Sequence, residues 1–214
     1  MNFKNIAVLT SQESWILEYK DEIINALRAS NHNVKLFFNH EDISSKYEIV
    51  FILSYFKIIP EKYLIKHKHN LVVHESELPK GKGWSPLFWQ ILEGKNKIPI
   101  VLFEAASKMD NGQIYFKDYV DLIGNELNKE IRKKQVHKTI ELCVTFLSSY
   151  KTLTLQQQKG MPTYYKKRTE KDSELDINKS IKEQFNLLRI VNNRDYPAFF
   201  SIHGKKYILN IFND

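Results

Sequence analysis

Apolar and polar positions fall along the chain in blocks that predict strands feeding helices. Residues 5–11, NIAVLTS, form an apolar run bounded by polar residues, as in a buried strand, and 14–30, SWILEYKDEIINALRAS, carries apolar residues at helical spacing. NVKLFFN (33–39), EIVFILSY (48–55) and NLVVH (70–74) are further strands, the second continuous enough to be covered on both faces. SPLFWQILEG (85–94) predicts a short helix with Pro86 in its first turn and Gly94 as its stop. IPIVLFEA (98–105) is another strand, followed by a turn at 107–113 that carries Asp110 and by the strand beginning IYF. This alternation predicts an α/β domain: a Rossmann-like, mostly parallel sheet with helices on both faces.

From about 122 to 150 apolar residues recur every fourth position, predicting one long helix packed on the sheet. Residues 155–172 have the Gly, Pro and polar content of a connector. Beyond them, 180–191 reads as a helix, and 196–202 with 205–212 as paired strands around His203-Gly204. That is too little for an independent fold, so residues 1–150 form the expected main domain and 151–214 a linker with a short α+β C-terminal appendage.

Composition closes several alternatives. The chain has 214 residues, 43% hydrophobic and 27% charged, which suits a packed globular domain and argues against disorder. The sequence lacks an apolar run of about 20 residues and a signal-like start, so a cytoplasmic protein with no membrane association is expected. The single cysteine, Cys143, sits in the apolar pattern ELCVTFL and reads as core. The formal charge of +7 suits an anionic partner without choosing one. Part of the excess lies in IRKKQVHK (131–138), read as a solvated helix face, and part in YYKKRTEK (164–171). The two histidines of KHKHN (66–70) read as a solvated turn, and no metal is expected. Nucleic-acid binding is not expected either, because the aromatic residues do not alternate with basic ones.

The chemistry concentrates at two places. VVHESELPKGKGWSP (72–86) puts His74 at a strand end, Ser76 two residues on, and a glycine-rich turn before a helix; MDNGQI (109–114) places Asp110 after the next strand but one. In open α/β sheets ligands gather at the carboxyl ends of strands. A histidine and an aspartate meeting there can hydrogen-bond, the carboxylate fixing the tautomer and raising the basicity of the imidazole. Spacing alone leaves open whether this is a catalytic pair or a histidine bonded to nearby backbone. GKGWS (81–85) lacks the spacing of a nucleoside triphosphate loop.

These residues resemble the formyltetrahydrofolate-dependent formyltransferases, and among them most closely the nucleotide-sugar N-formyltransferases. His74, Ser76, Leu78 and Pro79 match the family's Asn-x-His-x-Ser-Leu-Leu-Pro segment; Lys82-Gly83 and Pro86 match its Arg-Gly-x-x-Pro turn with Lys for Arg; Asp110 and Gly112 match its Asp-x-Gly. The resemblance covers residues 48–116 in ordered series and continues more loosely to the C-terminus. It implies that His74 and Asp110 are catalytic and that 10-formyltetrahydrofolate, the formyl donor, lies against Ser54, Tyr55 and Ile59 and against Ser107, Lys108 and Met109. An amino sugar linked to UDP, dTDP or GDP is then the acceptor, near Ser76, Lys82, Gly83 and Trp84. Tyr164, Tyr165, Lys167 and Arg168 could hold its base and phosphates by stacking and charge, and the same stretch could equally be a solvated linker. A homodimer is admitted. The alternatives are a methionyl-tRNA formyltransferase-like enzyme, disfavoured by the short tail, and a degenerate protein that binds folate or nucleotide sugar.

The sequence departs from the family at Val72, where the family has the asparagine assigned to stabilising the oxyanion. Losing such a donor costs about a hundred- to a thousandfold in turnover. Asn111, the His74 imidazolium and a backbone N–H of the Glu75–Ser76 turn are the available substitutes, and Asn70 lies one pleat too far back.

Overall fold

The computed structural model describes residues 4–29 and 31–214. Its centre is a six-stranded sheet with strand order β2-β1-β3-β4-β6-β7. The strands are β1 (Asn5–Leu9), β2 (Asn33–Phe37), β3 (Ile49–Ile52), β4 (His69–His74), β6 (Lys97–Glu104) and β7 (Ile114–Asp121). A two-residue strand, β5 (Lys82–Gly83), lies outside this sheet. The pairs β1–β2, β1–β3 and β3–β4 are parallel, whereas β4–β6 and β6–β7 are antiparallel, giving the mixed, mostly parallel sheet expected from the alternating pattern.

Alternation along β4 sends Leu71 and Val73 to one face, and Asn70, Val72 and His74 to the other. The first face carries the larger core, where Ile6, Val8, Phe51, Leu71 and Leu102 meet the apolar sides of α1 (Lys20–Arg28), α3 (Pro86–Leu92) and α4 (Asn128–Ser149). Ile23, Ile91 and Phe146 are among the helix residues buried there, and so is Cys143. The second face is covered more thinly, by the one-turn α2 (Glu61–Leu64) and by loops. Here Leu9, Val50 and Ile52 pack with Ile43 and Tyr47, while Val72, Tyr55, Ile59 and Ala105 close over them. Asn70 caps α2 from below, its Nδ2 donating to the Leu64 carbonyl at 2.9 Å. His74 stands on this thinly covered face, at the carboxyl end of β4.

Three boundaries differ from the sequence pattern. The first helix begins as a 3-10 turn, Trp15–Tyr19, before α1, and Ser30 at its expected end lies outside the described residues. The long helix starts at Asn128, not near 122, because Gly124 takes a left-handed φ of 102° and the Glu126 carboxylate binds the N–H groups of Ile123 and Gly124. The histidines of 66–70 are not a solvated turn: His67 Nδ1 bonds the Tyr47 carbonyl at 2.8 Å, and His69 opens β4 against Glu104 and Tyr115. The basic face of α4 is partly inward as well, with the Arg132 guanidinium sandwiched 4.1 Å from the Trp15 ring and 4.2 Å from Phe88.

The segment after α4 is tied to the rest of the chain. β8 (Tyr164–Tyr165) pairs in parallel with β5, and Gln156 bridges Ile114. α5 (Phe185–Ile190) is shorter than the expected 180–191 helix and puts Ile190 into the main core. The antiparallel hairpin β9 (Ala198–Ile202) and β10 (Lys205–Leu209) turns at His203-Gly204 as expected, and Leu175, Leu188, Val191 and Ala198 form a small cluster of their own.

Candidate active site

His74 ends β4 with 7% of its surface exposed. Its Nε2 lies 2.8 Å from the Gly81 carbonyl. A carbonyl only accepts, so Nε2 carries the proton in this arrangement. Asp110 Oδ2 stands 4.0 Å from the same nitrogen, an ion-pair distance, and accepts instead from the Gly83 N–H at 2.9 Å. The expected direct His–Asp hydrogen bond is therefore absent, and sheet topology gives the reason. β6 runs antiparallel to β4, so its carboxyl end at Glu104 lies beside Leu71, and His74 is paired with Val101. Asp110 does not project from a neighbouring strand end; the 105–113 loop carries it back across the face.

That loop is held at several points. Gln158 Nε2 donates to the carbonyls of Asp110, at 3.0 Å, and Gly112, at 2.8 Å. Gly112 is required by contact: a Cβ there would stand 1.5 Å from the Glu104 carbonyl oxygen, so no other residue fits without displacing backbone. Asp110 has a φ of 51°, and Ser54, after β3, and Ser85, before α3, are likewise left-handed at 52° and 48°. Such conformations cost of order 1–3 kcal/mol each and collect at ligand sites.

The Gly81–Gly83 segment lies between the pair and the tail. Its site-facing groups are the Gly81 carbonyl and the Gly83 N–H; its other edge pairs with the tail, Lys82 N donating to the Thr163 carbonyl and Gly81 N to Thr163 Oγ1. A Cβ at Gly83 would stand 2.5 Å from the Tyr165 carbonyl oxygen. Lys82, 3% exposed, reaches Asn111 Oδ1 with Nζ at 2.8 Å.

The loops expected to hold the formyl donor flank this centre. Tyr55 and Ile59 from one, and Ala105 from the other, pack with Val72 against the same apolar cluster, on the sheet face that carries His74. The Ser54 carbonyl accepts from Thr10 Oγ1, and the Tyr55 hydroxyl lies 2.8 Å from His40 Nδ1. Burial raises the Tyr55 pKa. Ser107, Lys108 and Met109 are exposed beside Asp110, and Phe56, Ile58 and Met109 present apolar surface to solvent.

The acceptor-side residues divide. Trp84 is half-buried, with Phe56 at 5.6 Å between ring centroids and Lys167 Nζ 5.1 Å over its ring; Tyr164 is exposed. Ser76, by contrast, is 2% exposed and packs against Gly81, its Oγ without a hydrogen-bond partner, so it lines the wall behind His74 and is no open contact. Tyr165 donates to Glu93 Oε1 at 2.7 Å and stacks on Trp89; burial, followed by the Glu93 carboxylate, pushes its hydroxyl pKa up. Arg168 donates to the Asp172 carbonyl and Ser173 Oγ, and burial lowers its pKa. Tyr165 thus joins the tail to α3, and Arg168 bonds within the tail. The sequence pattern missed Gln158 and Thr163, which sit in a polar run with no signal to separate them from a linker.

A family model described as Formyl transferase matches residues 38–147. Methionyl-tRNA formyltransferase of Francisella philomiragia is 28% identical over 163 residues, covering 75% of this chain and 52% of that protein. The chain thus spans about half the length of the curated relatives it matches. A sugar N-formyltransferase from a Shewanella species superposes with a TM-score of 0.73 at 13% identity, covering 99% of this chain and 98% of that one. HypX from Aquifex aeolicus in complex with tetrahydrofolic acid superposes with a TM-score of 0.80 at 16% identity, covering 99% of this chain and 38% of its own. At these identities the structural matches speak for the fold.

Proposed function

The chain belongs to the formyl transferase family, and from that membership we propose that it moves a formyl group from 10-formyltetrahydrofolate to the amino group of a nucleotide-linked amino sugar. The observation that carries the acceptor class is the rim beside His74 and Asp110, where Trp84, Phe56 and Lys167 combine aromatic faces with a cation. A nucleotide base stacks on the first and a diphosphate pairs with the second. The donor side fits a folate: exposed apolar Ile58 and Met109 stand next to polar loop backbone, the usual make-up of a small-molecule site.

In this reading the acceptor amine attacks the formyl carbon and must lose a proton as the new C–N bond forms. On leaving the Gly81 carbonyl, the neutral ring shifts its proton to Nδ1, so that Nε2 is free to take the amine proton and pass it to the departing nitrogen. Asp110, at 4.0 Å, favours the imidazolium that forms in passing, and through Gly83 fixes the glycine segment. The second reading, a tRNA-borne amine, draws on the methionyl-tRNA formyltransferases among the sequence relatives. One assay separates them. The protein is incubated with the formyl donor and, in turn, UDP-, dTDP- and GDP-linked amino sugars and methionyl-tRNA; a mass gain of one formyl group on a sugar nucleotide is expected, and a gain on methionyl-tRNA alone overturns the acceptor assignment.

Lys167→Ala is expected to raise the KM for the sugar nucleotide about two- to fivefold, the worth of about 0.5–1 kcal/mol for an exposed cation over an aromatic ring, while sparing the KM for the folate. Arg168→Ala is expected to act differently, lowering Tm because its guanidinium is engaged within the tail. Steady-state kinetics and thermal melts on both variants check this pair; a Lys167→Ala enzyme with unchanged or equally altered constants refutes the rim assignment.

A further inference from the structure

The oxyanion donor that the family places at the position of Val72 has no counterpart on β4, since Val72 is apolar and Asn70 is engaged with the Leu64 carbonyl. The 105–113 loop offers an amide of another origin. Asn111 follows Asp110 directly, its residue is exposed, and its Oδ1 accepts from Lys82 Nζ at 2.8 Å. An ammonium group can only donate, so the amide oxygen must face Lys82 and the amide Nδ2 must face away from it. Lys82 therefore removes the usual ambiguity of an asparagine flip. Nδ2 has no hydrogen-bond partner among the described residues.

Lys82 is suited to this task and to little else. It is 3% exposed, and among the described residues it has no carboxylate within 4.0 Å, so its charge is directed at one neutral amide. Its backbone neighbours touch both members of the pair: the carbonyl of Gly81 accepts from His74, and the N–H of Gly83 donates to Asp110. Asn111 and Lys82 are thereby fixed to the same two-point frame as the reacting groups. A cation on the oxygen of an amide also draws electron density from its nitrogen and strengthens the N–H as a donor.

We propose that Asn111 Nδ2 is the donor that stabilises the oxyanion of the tetrahedral intermediate, and that Lys82 is the positioning residue that holds the amide in the donating orientation. This rests on the formyl-transfer reading. In the step concerned, the amine lone pair forms the C–N bond and the π pair of the formyl C=O moves onto its oxygen, and the Nδ2 N–H donates a hydrogen bond to the oxyanion so formed. The pair then returns as the bond from carbon to the folate nitrogen breaks, that nitrogen taking the proton relayed by His74.

The deciding variant is Asn111→Asp. It keeps size and an oxygen for Lys82 and adds a favourable charge, so a purely structural role predicts a protein at least as stable and as active as wild type. The donor role predicts kcat lower by about a hundred- to a thousandfold, with KM for both substrates within about twofold and Tm not reduced. Lys82→Met is expected to lower kcat as well, and Val72→Asn added to Asn111→Asp is expected to recover part of the kcat that Asn111→Asp loses. An active wild type whose Asn111→Asp variant keeps its kcat overturns this proposal alone; a wild type that formylates no amine overturns the formyl-transfer reading beneath it.

Discussion

His74→Ala is expected to lower formyl transfer by about a hundred- to ten-thousandfold, the usual contribution of a positioned proton-transfer group. The fold should survive, since among the described residues the imidazole makes one hydrogen bond, to the Gly81 carbonyl, besides its 4.0 Å approach to Asp110, and lies at the end of β4 outside the main core. Asp110→Asn is expected to be nearly as harmful. Its amide oxygen can still accept from the Gly83 N–H, so the glycine segment stays in place, but the charge 4.0 Å from Nε2 is gone and the imidazolium loses its stabilisation. Because one variant removes the proton carrier and the other its electrostatic partner, their combined effect should fall well short of the product of the two. Single-turnover rates with Tm measured alongside check this. A correctly folded His74→Ala protein keeping more than about a tenth of wild-type turnover would remove His74 from the mechanism.

Much of this site was legible in the chain because its residues are punctuated. His74 closes an apolar strand, and Gly83 and Gly112 are demanded by backbone contacts that any side chain would violate, so motif and geometry have a common cause. The strand pattern likewise yielded the sheet, since continuous apolar runs such as Ile49–Ile52 pack on both faces. What stayed hidden were choices made by distant partners. The antiparallel direction of β6 follows from a pairing that no local pattern encodes, and it turns an expected hydrogen bond into a 4.0 Å approach. The connector after α4 reads as solvated because Gln156, Gln158 and Thr163 act through backbone and amide contacts to the site, which polar composition does not reveal. Arg168 reads equally as a phosphate ligand or as part of a solvated linker, because a charge in a polar run does not announce that it bonds a neighbouring turn.

Arg189 is the strongest case of such a hidden choice, and replacing it is expected to be the most destabilising single change in the tail. It sits in the apolar pattern FNLLRI of α5, 1% exposed, and joins α5 to two other segments. Its Nε donates to the Glu126 carbonyl, Nη2 to Glu126 Oε2, and Nη1 to Asn96 Oδ1. Arg189→Met keeps the apolar stem but leaves the Glu126 carboxylate buried with less compensation, a loss of about 3–5 kcal/mol. At about 2–4 °C per kcal/mol for a chain of this size, Tm should fall by about 6–20 °C. Burial by itself would raise the Glu126 pKa, but hydrogen bonds from Lys134 and from the N–H groups of Ile123 and Gly124 outweigh it and hold the pKa at about 2, against an ordinary 4.5. A carboxylate depressed in the folded state contributes stability that is complete above its unfolded pKa and is lost as pH falls toward its folded one. Wild-type stability should therefore decline between about pH 4.5 and 2, and Glu126→Gln should flatten that part of the curve while lowering the plateau above it. Denaturant titrations across this range, with Arg189→Met, Glu126→Gln and the double variant, check both statements. If the two residues form one unit, the double variant loses clearly less than the sum of the singles. Strict additivity would mean that Arg189 and Glu126 stabilise the protein independently of one another.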